Sequence, residues 1–175
     1  MAPASAIGVE YLAGAADSVT AAGGAATPTI AADVVALLRR CDLPTDDLAA
    51  CESLAMITAR ARDGSLQGCI ALAGRGDAVL LRSLVVAHAA RGRQLGARLV
   101  AQAEQLAINR GHREIYLLTD TAADFFARFG YRAVARSEVA SEIRATAQFA
   151  QLCPASAVVL RKLIDSSPCA LLPCV

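Results

Sequence analysis

At about residue 90 the chain changes period, and that switch limits its fold more than any other feature of the sequence. Before it, apolar runs of strand length are separated by tight-turn residues; after it, apolar residues recur at helical spacing. Residues 54 to 62 alternate, with Ile57, Ala59 and Ala61 on one side and Thr58, Arg60 and Arg62 on the other. Asp63-Gly64 is a hairpin signal. It leads into a second strand over residues 66 to 73, where Gly68 is expected to mark a bulge. Gly74-Arg75-Gly76-Asp77 turns the chain into Ala78 to Val86, a run apolar enough for a central strand covered on both faces. These three runs predict an antiparallel meander. Beyond them Leu95, Leu99, Ala103 and Leu106 line one face of a helix that Gly111 ends at its C′ position.

The remaining segments add helices and strands around this unit. Val34, Leu37, Leu38 and Cys41 recur at helical spacing after Thr29, a potential N-cap, and Asp42-Leu43-Pro44 ends that helix. Thr45 is expected to cap a short second helix, with Asp46 and Asp47 in its first turn. A strand over Glu114 to Leu118, a helix over Ala122 to Phe129, a strand from Tyr131, a helix from Ser141 to Gln151 and a last strand from Ala157 to Leu163 complete the reading. No repeat and no long linker divides the 175 residues, a length that suits one domain. Residues 1 to 28 read as an Ala/Gly-rich lead-in holding a first strand, and residues 166 to 175 as a tail.

Composition excludes several classes of function. The formal charge is +1, so no global field draws the chain to nucleic acid or to an anionic membrane. No stretch approaches the ~20 apolar residues of a membrane span. The first 27 residues contain no Lys or Arg and so lack the positive start of a secretory signal. The chain is therefore expected in the cytoplasm. Cys41, Cys51, Cys69, Cys153, Cys169 and Cys174 form no Cys-x-x-Cys pair and have no histidines at zinc spacing, so no metal is expected and reduced thiols are the simplest reading. Cys169 and Cys174 leave open a thiol pair for a soft metal.

The chemistry concentrates at Arg91-Gly92-Arg93-Gln94-Leu95-Gly96-Ala97, between the buried strand and the helix. Small residues let the backbone turn tightly and aim several N–H groups at one point, and the helix start adds partial positive charge. Arg91 and Arg93 suit that site to a pyrophosphate. A dinucleotide-binding loop would follow the first strand of a parallel sheet, and a P-loop needs Gly-Lys-Ser/Thr, which the sequence lacks.

Arg-Gly-x-x-Leu-Gly after a strand, followed by a helix, a strand and Ala123-Asp124-Phe125-Phe126-Ala127-Arg128-Phe129-Gly130-Tyr131, resembles the GNAT acetyltransferases over roughly residues 29 to 135. The resemblance implies an α/β (α+β) domain over residues 29 to 165: a mixed, mostly antiparallel sheet of six or seven strands with helices on both faces. It implies acetyl-CoA as co-substrate, with the loop on its pyrophosphate and the splayed strand end Leu84, Val85 and Val86 on its pantetheine arm and acetyl carbonyl. It further implies transfer to a small-molecule amine, and a homodimer as the family's common assembly. Gln94 stands where the family usually has Gly. Leu43 to Leu48, Thr121 to Phe126 and Gln148 to Ala157 resemble, more narrowly, an ArsN-type branch associated with arsenic resistance.

The catalytic groups are the least legible part. The family's usual thiolate acid, a Tyr, corresponds to Phe126, which has no proton to give and is left with a coenzyme contact. Tyr131 and Thr121 are the remaining candidates, with Thr119 and Asp120 beside the thioester; Tyr131 is equally readable as a packed strand residue with its hydroxyl at the rim. Asp46 and Asp47 either attract a cationic amine or complement a helix dipole. Arg82 and His88 are candidates for a substrate carboxylate and a coenzyme phosphate. Two other readings remain: a coenzyme-binding regulatory module without catalysis, and an arsenite-binding protein using Cys153, Cys169 or Cys174.

Overall fold

A computed structural model describes residues 8 to 13, 30 to 51, 53 to 154 and 156 to 164. Seven strands form one sheet: β1 (Gly8–Ala13), β2 (Leu54–Arg60), β3 (Leu66–Ala73), β4 (Ala78–Val86), β5 (Glu114–Thr119), β6 (Arg132–Ala133) and β7 (Val158–Leu163), in the spatial order β1-β2-β3-β4-β5-β7-β6. β1 to β4 are the antiparallel meander, joined by the β1 strand within the lead-in; β4 and β5 are parallel; β5, β7 and β6 are antiparallel again. The parallel step needs a crossover, and α2 (Leu95–Asn109) supplies it.

Helices cover both faces. On one, α2 buries Leu95, Leu99, Val100, Ala103 and Ala107 against Ile57, Ile70, Leu72, Val79 and Leu81, with Phe126 of α3 (Ala123–Ala127) in the same cluster. On the other, α1 (Ala32–Arg39) buries Val34, Leu37 and Leu38 against Met56, Cys69, Ala71 and Val85, and α4 (Ser141–Arg144) sets Ile143 against Leu80, Tyr116 and Val159. Each fully buried aliphatic side chain contributes about 1.5–3 kcal/mol. The alternation read in residues 54 to 62 does not mark a solvated face: both sides of β2 are buried, and Thr58 is fully enclosed. Ion pairs tie the layers at their margins, Arg60 to Asp33 of α1 at 2.6 Å and Lys162 to Glu104 of α2 at 2.7 Å.

The helix ends follow local chemistry. After α2, Gly111 adopts φ 78°, and the N–H groups of Gly111 and His112 bond to the carbonyls of Ile108 and Ala107, closing the turn as expected. Three helical expectations change. Thr29 lies outside the described residues, and the N-cap of α1 is Ala31, whose side chain makes no capping bond. No second helix follows Thr45; residues 46 to 50 make hydrogen-bonded turns, and Thr45 Oγ1 accepts from Arg39 Nε at 3.2 Å instead. The helix read over Ser141 to Gln151 stops at Arg144, because the Thr146 hydroxyl bonds to the Ile143 carbonyl at 2.7 Å and competes with the backbone. The chain resumes as one wide turn, Gln148–Leu152, in which the Cys153 N–H reaches the Gln148 carbonyl.

Gly68 is required for a reason of space. It lies opposite Val86, next to a register shift in β2–β3, and a Cβ there would sit 2.7 Å from the Val85 carbonyl oxygen and 3.2 Å from Leu99. Gly68→Ala is predicted to lower unfolding free energy by about 1–3 kcal/mol, the usual cost of overpacking, read as a shift in urea midpoint at unchanged slope.

Candidate functional site

The site is made by two parallel strands that part. β4 and β5 pair only at Ala78–Glu114, Val79–Ile115 and Leu80–Tyr116, although β4 continues to Val86 and β5 to Thr119. β5 stays with β7 over its whole length, so the departure belongs to β4. Its cause is a bulge: Arg82 faces Ala71 and Val85 faces Cys69, which leaves Ser83 and Leu84 opposite the single residue Ile70. Ser83 is buried and holds φ 56°, a conformation rare for a residue with a side chain. Cys69 Sγ donates to the Ser83 carbonyl at 3.6 Å, and the Ala87 N–H bonds to Gln67 at 2.8 Å, fixing the redirected strand.

Beyond β4 a short 3₁₀ turn, His88–Ala90, delivers the chain to the loop before α2. Gly92 takes φ 75° and Gln94 φ 57°, and Gln94 is the N-cap of α2 without any side-chain capping bond. The first N–H groups of a helix have no partner within it, so this end offers donors and partial positive charge that favour an anion. The left-handed geometry of Gln94 accounts for glycine at this position in the resembling family.

A cleft of about 560 Å³ opens onto that helix end, lined by Val86, Ala90, Arg91, Gly92, Gln94, Leu95, Gly96, Ala97, Phe125, Arg128 and Phe129. Arg91 Nε donates to the Val86 carbonyl at 3.2 Å, which ties the loop to the strand end. Gly96 keeps the helix close to α3: a Cβ there would touch the Phe125 ring at 3.4 Å. Arg128 stacks over Phe125 at 5.4 Å, so two arginines flank the cleft.

Of the residues expected on the coenzyme, Val86 and the loop from Arg91 to Ala97 are therefore brought together, except Arg93, which is exposed and outside the lining. Leu84 and Val85 lie at the bulge, Val85 with its side chain on the opposite face of the sheet. Phe126 is buried in the core, and the cleft is lined instead by Phe125, Arg128 and Phe129, which the sequence reading missed. Helical spacing from Phe125 to Arg128 and Phe129 is the signal that identifies them. His88 is exposed and outside the lining.

The catalytic candidates do not reach the cleft. Tyr131 is not at a rim: it is 2 % exposed, packed at 5.5 Å on Phe126, with its hydroxyl enclosed and unpartnered. Burial, and then the nearby Glu104 charge, push its pKa up, which opposes ionisation. Thr121 is exposed; its N–H and that of Ala122 bond to Thr119 Oγ1 at 3.3 and 2.9 Å, so Thr119 serves the start of α3. Asp120 is exposed as well. Asp46 is exposed on its turn, whereas Asp47 grips Arg82 with both carboxylate oxygens, so neither Asp47 nor the guanidinium end of Arg82 carries a free charge for substrate. Burial pushes the thiols of Cys51, Cys69 and Cys153 up, Cys69 to about 12, which keeps them protonated at neutral pH. Cys169 and Cys174 lie outside the described residues.

Residues 54–133 match the family model of the acetyltransferase (GNAT) domain. Solved structures resemble the whole described unit. An N-acetylglutamate synthase from Neisseria gonorrhoeae, complexed with coenzyme A and N-acetyl-glutamate, aligns over 94% of this chain at 18% identity with a TM-score of 0.69. This chain spans about a third of that protein, 36% of its length. A GNAT-family acetyltransferase from Staphylococcus aureus aligns over 76% of this chain and 92% of its own at 15% identity, TM-score 0.62. Rv2747 from Mycobacterium tuberculosis, in complex with CoA and NLQ, aligns over 75% and 94% at 22% identity, TM-score 0.60. No curated protein matches the sequence. The architecture is the GNAT fold.

If the two arginines hold an anion jointly with the α2 end, Arg91→Ala and Arg128→Ala should each weaken pyrophosphate binding about 10- to 150-fold, the worth of a charge-assisted bond. Isothermal titration with inorganic pyrophosphate checks this, and Arg93→Ala should change it much less.

Proposed function

We propose that this protein is an acetyl-CoA-dependent N-acetyltransferase acting on the amine of a small molecule. The observation that carries the reading is the uncapped N-terminus of α2 opening, beside Arg91 and Arg128, onto a cleft that runs to the bulged end of β4. The GNAT domain match over residues 54–133 and the coenzyme complexes of structural neighbours support it.

The residues divide the work as follows. The N–H groups of Leu95, Gly96 and Ala97 and the Arg91 guanidinium hold the pyrophosphate, while Phe125 and Phe129 wall the cleft. The backbone of Leu84 to Val86 orients the pantetheine arm and polarises the acetyl carbonyl. The acceptor nitrogen attacks that carbonyl carbon; the C–N bond forms, the C–S bond breaks, the nitrogen loses a proton and the departing sulfur gains one. No acidic or phenolic side chain lines the cleft among the described residues, so positioning and water carry the proton traffic. The three segments resembling the ArsN-type branch support an arsenic-linked role for the same activity on sequence likeness alone.

Calorimetric titration with acetyl-CoA, paired with thiol release in the presence of amines, tests the reading. Saturable binding lost in the Arg91→Ala, Arg128→Ala double variant, together with amine-dependent thiol release, is expected. Binding without release for any amine would favour the regulatory module, and absence of binding would remove the coenzyme site itself.

A further inference from the structure

β7 outruns β6, and the difference leaves a second cavity that the transfer chemistry does not use. The two strands pair only at Arg132–Arg161 and Ala133–Leu160, although β7 continues to Leu163. Continuing that register would set Gly130 against Leu163. Gly130 instead takes φ 86° and its N–H bonds to the Ala127 carbonyl at 3.0 Å, closing the end of α3, so β6 starts only after that turn. The notch that remains is a cavity of about 320 Å³, lined by Gly130, Arg132, Val134, Arg161, Lys162 and Leu163. It shares no lining residue with the coenzyme cleft. Leu163 faces Glu114, the first residue of β5, so the notch lies at the end of the sheet away from the opening between β4 and β5.

The walls of the notch are of two kinds. Arg132 and Arg161 stand directly opposite across the strands, which puts their side chains on one face with Cβ atoms about 4.5–5.5 Å apart. Residues two apart along a strand share that face, so Val134 and Leu163 flank the arginines. Val134 packs against the core cluster that holds Tyr116, whereas Leu163 is 66 % exposed. Like charges set opposite each other are unfavourable, and no carboxylate is among the lining residues. Lys162 is already paired with Glu104 at 2.7 Å. The Tyr116 hydroxyl, then the Glu114 and Glu138 carboxylates, push the pKa of Arg161 up, so its charge is partly answered from behind. Arg132 is exposed and has no ion pair or hydrogen bond among the described residues.

We propose that this notch is a second ligand site, built for a small monocarboxylate that carries a short apolar chain. The carboxylate takes the fork of Arg132 beside Arg161, and the chain covers Leu163 and Val134. Charge sets the class of the head group. Arg132 is the cation left uncompensated, so one negative charge balances the cavity and the second charge of a phosphate has no counterpart. The apolar wall sets the rest, because a bare ion would leave Leu163 in water. A volume of about 320 Å³ lies at the small end of ligand sites.

The test titrates isotope-labelled full-length protein with isovalerate and follows the amide signals by two-dimensional NMR. Saturable shifts are expected at residues 130 to 134 and 160 to 163. Isovaleramide has the shape without the charge, acetate the charge without the chain, and inorganic phosphate a second charge; each should bind at least about fivefold more weakly, a discount on a charge-assisted bond for solvent exposure. Arg132→Gln should raise the Kd for isovalerate at least about fivefold, and Leu163→Ser should bring isovalerate to the level of acetate. Both residues are exposed, so the core amide signals of each variant should stay in place and show that it is folded. Shifts confined to the coenzyme cleft, equal binding of isovaleramide, tighter binding of phosphate, an unchanged Kd in Arg132→Gln, or no saturation at all would overturn the site.

Discussion

The structure depends on a single break in strand pairing. β4 is bonded to β3 on one side and, for three residue pairs, to β5 on the other, and then the Ser83 bulge turns it away. A sheet that closed this gap would bury the carboxyl end of β4 and leave α2 nowhere to begin. The bulge is held by what surrounds it. Gly68 allows the close approach of the Val85 carbonyl, Cys69 bonds the Ser83 carbonyl, and α2 packs Leu99 over the same strands. A non-glycine residue in left-handed conformation costs about 1–3 kcal/mol and persists where packing over-determines it. Ser83 meets that condition, since it is buried within a continuous core.

Charge is arranged differently on the two faces of the sheet. On the α2 face the helix start, Arg91 and Arg128 form a positive margin without a carboxylate among the lining residues, which suits a polyanion. On the other face a cation and an anion cancel, with Asp47 holding both terminal nitrogens of Arg82. A local positive margin of this kind suits a highly charged ligand without a global charge on the chain.

Much of this was legible in the sequence, and the pattern of what was not is physical. The meander, the crossover helix and its glycine stop followed from period and turn chemistry, because those signals act within a few residues of where they are written. Gly68 was legible as an irregular point in β3, but the larger bulge at Ser83 was not. An apolar run such as Ala78 to Val86 gives no local sign that one of its residues has left the strand conformation. Helix ends governed by a competing side chain, as at Thr146, were overrun for the same reason. At the site, most of the loop from Arg91 to Ala97 lines the cleft, a grouping legible in the sequence because its glycines and arginines are contiguous. Arg128 was missed because it reaches the cleft from a different element, and Tyr131 was raised as a catalytic candidate because its type, not its burial, is visible in a sequence. The pairing of Asp47 with Arg82 spans 35 residues, so the separate expectations for the two could not anticipate their cancellation.

The central claim is that the redirected end of β4 and the start of α2 act together as one coenzyme site. Backbone hydrogen exchange, followed by mass spectrometry with and without acetyl-CoA, tests it most directly. The account predicts added protection in two separated stretches, residues 84 to 86 and residues 91 to 97, with little change in β7 or α1. Protection confined to other parts of the chain, or none in either stretch at saturating acetyl-CoA, would contradict it.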